Sequence, residues 1–157
     1  MEWYRWGREG TMRRIGVVGA VGVAVLALVA LQASGGASFV GAARCKVCHK
    51  LQFDSWAATP HAKATDTARG SSRWPFGPEC LRCHATNRDE ALPGVQCEAC
   101  HGPGSNYQSM QIMKDRQKAL AAGLVIPTQA TCDGCHDGKD HHTRVMLDRS
   151  TVHAHKN

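Results

Sequence analysis

The sequence predicts a small, mainly α-helical fold with long loops, and three observations lead to it. Apolar residues such as Val47, Leu51 and Phe53 to Trp56 cluster at helical spacing, and no stretch alternates persuasively as a strand. Prolines and glycines at 60, 75, 77, 78, 93, 94, 102 to 104, 123 and 127 break the chain into short pieces. Beyond residue 37 the large aromatics are Phe39, Phe53, Trp56, Trp74, Phe76 and Tyr107. So polar and glycine-rich a chain buries too little surface by itself, and its core must be completed by something other than polypeptide.

Taken in order, the first helical stretch surrounds "RCKVCHKLQFDSWAAT", and Pro60 ends or kinks it. A second short helix starts at His61 and runs out near Gly70. "SSRWPFGPE" is loop. After Gly102-Pro103-Gly104 a helix is predicted from Ser105 to Ala122, with Ser105 as N-cap and Gly123 past its end. Pro127 breaks the next loop, and the tail "DGKDHHTRVMLDRSTVHAHKN" is rich in histidine.

All eight cysteines fall into one repeated pattern: Cys45-Lys-Val-Cys48-His49, Cys80-Leu-Arg-Cys83-His84, Cys97-Glu-Ala-Cys100-His101 and Cys132-Asp-Gly-Cys135-His136. CxxC alone fits a zinc site or a redox dithiol. The histidine decides between them. With nine histidines in 157 residues, four such placements by chance are on the order of a 10⁻⁵ event. Zinc knuckles do not need that histidine. Covalent haem does, because two thiols add to the porphyrin vinyl groups and the next residue ligates the iron. The pattern therefore predicts four covalently attached c-type haems, with His49, His84, His101 and His136 as proximal ligands. These haems supply the missing apolar core. The unequal spacing of the four sites excludes a stacked solenoid, and only 12 residues, Ala85 to Gln96, separate the second from the third.

Residues 1–37 read differently. Arg5, Arg8, Arg13 and Arg14 precede the uncharged run Ile15 to Leu31, and small residues come after it. This describes an export signal cleaved near Ala37 or, since the run is 17 residues, a retained N-terminal membrane anchor. Residues 38–157 form the single haem domain, placed in the periplasm or held at the membrane facing it. That part has 15 Lys+Arg against 11 Asp+Glu, a formal +4. Two propionates per haem bring the holoprotein to about −4, so the pI near 9.0 is no argument for a nucleic-acid partner.

"ARCKVCHKLQFDSWAATPHAKAT" and "GVQCEACHGPGSNY" resemble the cytochrome c-554 family, tetrahaem electron carriers of ammonia-oxidising bacteria, over most of residues 40–136. The resemblance implies a small multihaem cytochrome c fold, mostly helical and wrapped around closely stacked haems, and electron transfer outside the cytoplasm. It also implies distal ligands: His61 over the third haem, and one of His153 and His155 over the fourth. The family's distal histidine for the first haem has no counterpart, because that window reads "SNYQSMQIMKD". Met110 and Met113 occupy it, as sixth ligands or as packing on haem faces. The second haem is open in the family; here it stays open or recruits His141 or His142.

These readings make an electron carrier between redox partner proteins the leading function. An alternative is a reductase of nitric oxide or a related nitrogen or sulfur species at an open haem, with Asp89 or Glu90 as proton donor. A third is a subunit of a polymeric haem wire. No catalytic residue is assigned.

Overall fold

The computed structural model describes residues 36–153; the export segment, including the run 15–31, and His155 lie outside the described residues. The chain divides into two units, Met1–Gly36 and Ala37–Asn157, and every described residue except Gly36 belongs to the second. Nine short α-helices carry this second unit among the described residues: α1 (Ala42–Lys46), α2 (Lys50–Ala57), α3 (Ala64–Arg69), α4 (Leu81–His84), α5 (Cys97–His101), α6 (Met110–Met113), α7 (Arg116–Ala121), α8 (Gln129–Asp133) and α9 (Arg149–Val152). Single 3₁₀ turns at Pro78–Cys80, Thr86–Arg88 and Gly104–Asn106 join them. No strand occurs among the described residues, only isolated bridges from Ala85 to Pro93 and Gly94. The chain is thus mainly helical with long connections. None of these helices is long and apolar enough to cross a membrane.

Helices of four to eight residues cannot hold themselves in water, so cross-chain hydrogen bonds locate them. Glu98 of α5 is 2% exposed. Its carboxylate accepts the backbone N–H of Val40 (2.9 Å), Gly41 (2.7 Å) and Gly104 (2.6 Å). Gln96 accepts from Ala42 N–H at 2.7 Å, and Ser105 N–H bonds Ser38 O at 3.1 Å. The segment ahead of the first motif and the turn after the third meet on one side chain.

A second junction forms around Thr65 and Thr86, both buried. The Thr65 hydroxyl accepts Gly94 N–H at 2.7 Å and donates to the His84 carbonyl. Thr86 donates to Gly94 O at 2.9 Å and accepts from Gln96 N–H at 2.8 Å. Gly94 is required here, since its φ is +78° and an added Cβ would lie 2.6 Å from Ala62 O. Trp56 closes the same face by donating its indole N–H to Val95 O at 2.8 Å.

The predicted helix over Ser105 to Ala122 is two helices instead. Asp115 adopts extended backbone between α6 and α7 and caps α7, accepting from Gln117 and Lys118 N–H at 3.0 and 3.1 Å. Ser105 is not an N-cap; its hydroxyl accepts Ser38 N–H at 2.8 Å. The helix expected from His61 begins later, at Ala64, because His61 to Lys63 form a turn whose His61 carbonyl accepts Val95 N–H at 2.8 Å. Among the described residues the protein core is thin: Leu81 and Tyr107 are its large apolar members, beside four alanines. Val47 and Leu51, predicted to share an apolar face, are 78% and 56% exposed.

Candidate haem sites

Each CxxCH sits on one helical turn. The His49 N–H bonds Cys45 O at 2.8 Å, and the His136 N–H bonds Cys132 O at 2.8 Å. Helix α5 contains the whole third motif, and α4 carries Cys83 and His84 directly after Cys80. Positions i, i+3 and i+4 share one helix face, so two thiols and an imidazole converge at every site. No disulfide joins any of the eight cysteines.

Three proximal rings are oriented from behind. The Nδ1–H of His84 donates to Ala64 O at 3.0 Å, that of His101 to Val125 O at 3.0 Å, and that of His136 to Thr143 O at 2.9 Å. A carbonyl only accepts, so Nδ1 carries the proton and Nε2 keeps its lone pair for a metal. The His101–Val125 contact is reciprocal, since Val125 N–H bonds His101 O at 2.9 Å. These carbonyls come from α3, the loop after α7 and the loop after the fourth site, and no sequence signal marks them.

The sites adjoin one another in the fold. Glu98 in the third motif accepts the N–H groups of Val40 and Gly41, just ahead of the first motif, at 2.9 and 2.7 Å. Thr86, just past the second motif, accepts the Gln96 N–H ahead of the third at 2.8 Å. Arg82 in the second motif donates to Gly134 O in the fourth at 3.1 Å.

Each remaining described histidine lies near a proximal one, His142 being 6.5 Å from His84. Two imidazoles on either side of one metal, each with a metal–nitrogen bond of about 2.0–2.1 Å, have ring centroids about 6.3 Å apart. His61 and His136 are 6.1 Å apart, His101 and His153 6.1 Å, and His84 and His141 5.9 Å. His61 thus faces the fourth site's histidine, where the resemblance implied the third's, and His153 faces the third's. His61 is held below the usual imidazole range, first by burial and then by His136, which favours the neutral ring that a metal needs.

Met110 and Met113 lie on α6, with Met110 58% exposed. The segment before α6 touches the first site's helix, where Arg44 donates to Gln108 at 3.2 Å. Glu90, considered as a proton donor, is paired with Arg69 at 3.1 Å, and Asp89 accepts Ala91 N–H at 2.9 Å. Sequence reasoning missed Glu98, although it stands inside the "CEACH" motif.

Free thiol pairs on helical turns, proximal rings with Nε2 available and opposed imidazoles near 6 Å are the donor set that covalent haem requires, so the residues fit the group. Known proteins point the same way. The family model described as "Cytochrome c554 and c-prime" matches residues 44–102, which contain the first three motifs. Cytochrome c-554 of Nitrosomonas europaea is 29% identical over 131 residues, covering 68% of this chain. The chain spans about half, 54%, of that relative's length. The solved structure of reduced cytochrome c554 from Nitrosomonas europaea matches with a TM-score of 0.52 at 25% identity, over 68% of this chain and 69% of that one. The mainly helical fold matches that structure, and the four CxxCH sites supply the donor set for four c-type haems. Family model, curated relative and solved structure together support the cytochrome c-554 family for this chain.

Proposed function

We propose that this chain is an exported electron carrier, passing electrons between redox partner proteins in the periplasm or at the membrane surface. One observation carries the reading: hydrogen bonds join the first site to the third, the third to the second and the second to the fourth, so the attachment sites adjoin. The haems, once attached, supply reversible one-electron chemistry at iron. The chain fixes their positions through the thiol pairs and orients the proximal rings through Nδ1. His61 and His153 cap the fourth and third sites. The positively flanked run Ile15 to Leu31 directs or tethers the domain outside the cytoplasm.

The test begins with intact-mass measurement of the purified protein, where four haem additions surviving acid–acetone extraction are expected. Stopped-flow reduction by a donor limited to one electron per molecule then tracks redistribution among the haems. Equilibration faster than a second, bimolecular transfer supports the carrier. Three or fewer haems, or haems that exchange electrons only between molecules, would overturn it. Fractionation checks the compartment: mature haem protein in the cytoplasm contradicts export.

A further inference from the structure

The loop after the fourth motif turns back onto the second site. Asp137 accepts Lys139 N–H at 3.0 Å, His142 N–H bonds Lys139 O at 2.8 Å, and Gly138 N–H bonds His142 O at 2.8 Å. Gly138 and Asp140 both take left-handed backbone, with φ +79° and +50°, so the turn is tight and carries strain at Asp140. Both ends of the segment are pinned. His136 Nδ1–H holds Thr143 O at 2.9 Å, and the Arg82 guanidinium of α4 donates to Gly134 O at 3.1 Å.

This turn sets His141 opposite His84. Their ring centroids are 5.9 Å apart, and the ligand atoms of His84, His141 and His142 all lie within 4.8 Å of one another. Trp74 packs beside His141 at 5.5 Å. A cleft of about 110 Å³ is lined by Cys80 and His84 together with His141 and Trp74. One wall thus holds an attachment thiol and a proximal ligand, and the other holds an imidazole. His142 also approaches His84, at 6.5 Å between rings, but unlike His141 it does not line that cleft.

We propose that His141 is the sixth ligand of the second haem, closing an iron that the resemblance implies is open. The proposal rests on the reading of CxxCH as haem attachment and deepens it. A surface-loop imidazole makes the second site a bis-histidine electron-transfer centre, with no free position for a small substrate. Neither Asp89 nor Glu90 then has an open iron to serve.

The test counts carbon monoxide bound per molecule of fully reduced holoprotein and records the ferric high-spin signal, in wild type, His141→Ala and His142→Ala. His141→Ala is expected to bind one more carbon monoxide per chain than wild type and to gain one high-spin haem. Added imidazole should return it to low spin, while His142→Ala stays at the wild-type count. An unchanged count in His141→Ala, or the extra site appearing in His142→Ala instead, overturns the assignment. His141→Met guards against failed maturation, since it should keep six-coordination and add the charge-transfer band of a thioether ligand. Loss of haem from wild type itself would instead strike the four-haem reading, and intact mass separates the two failures.

Discussion

The ring of His61 lies 6.1 Å from that of His136, although the two belong to the segments of the first and fourth sites. A Trp56–Val95 bond and the His61 carbonyl on Val95 N–H hold that geometry from the third site's side. His61 therefore ties segments of three sites together, through its ring to the fourth and its carbonyl to the third. His61→Ala should open the fourth haem, adding one carbon monoxide-binding iron per chain, and should lower stability. Magnetic circular dichroism together with a denaturant titration checks both. Opening of the third haem instead would return His61 to the partner that the resemblance implies.

Glu98 provides a second test. Its replacement by alanine orphans the N–H groups of Val40, Gly41 and Gly104, each costing on the order of 1–3 kcal/mol when buried without a partner. The expected outcome is a large fall in denaturation midpoint and a loosened first site, with less damage in Glu98→Gln. A midpoint within error of wild type would mean that the carboxylate does not organise the junction.

Gly94→Ala should be as harmful as most core truncations. The added methyl meets Ala62 O at 2.6 Å in a backbone of φ +78°, and the left-handed backbone alone costs a non-glycine residue about 1 kcal/mol. A fall in melting temperature with unchanged haem count is expected, because the motifs themselves are untouched.

At the first haem, Met110 or Met113 is expected as sixth ligand. The ferric protein should then show the weak near-infrared band of thioether ligation. The band should vanish in one of Met110→Ala and Met113→Ala but not in both. That haem should also titrate at the highest potential of the four, since a thioether raises potential relative to bis-histidine. Absence of the band in wild type removes both methionines from the ligand set.

Acid should act on the third site through Asp148. This carboxylate caps α9 by accepting Ser150 N–H at 2.8 Å, and the Ser150 hydroxyl bond holds its pKa below the ordinary value. A depressed carboxylate contributes fully above its unfolded pKa and loses that contribution as pH falls through the folded value. His153 comes directly after α9, so the third haem should lose low-spin character below about pH 4. Asp148→Asn, which caps without titrating, should weaken that acid dependence. An identical acid profile in the variant would show that the cap does not govern His153.

The cofactor class was legible from residues alone, because attachment chemistry is local. Two thiols and a ligand must share one helical turn, and Cys-x-x-Cys-His states that turn in five letters. The mainly helical class was legible too, from the spacing of Val47, Leu51 and Trp56 and from frequent breakers. The long helix from Ser105 was misread because apolar spacing across Met110, Met113 and Ala119 hides the capping role of Asp115. Distal ligation belongs to the tertiary structure. Which of His61, His141 and His153 faces which proximal ring depends on cross-chain bonds such as Thr65 to His84, Glu98 to Gly41 and Arg82 to Gly134. Those contacts join residues 19 to 57 positions apart, and a backbone carbonyl that anchors Nδ1 has no side-chain identity to read. Local chemistry was written in the sequence, and the pairing of distant imidazoles was decided only when the chain closed on itself.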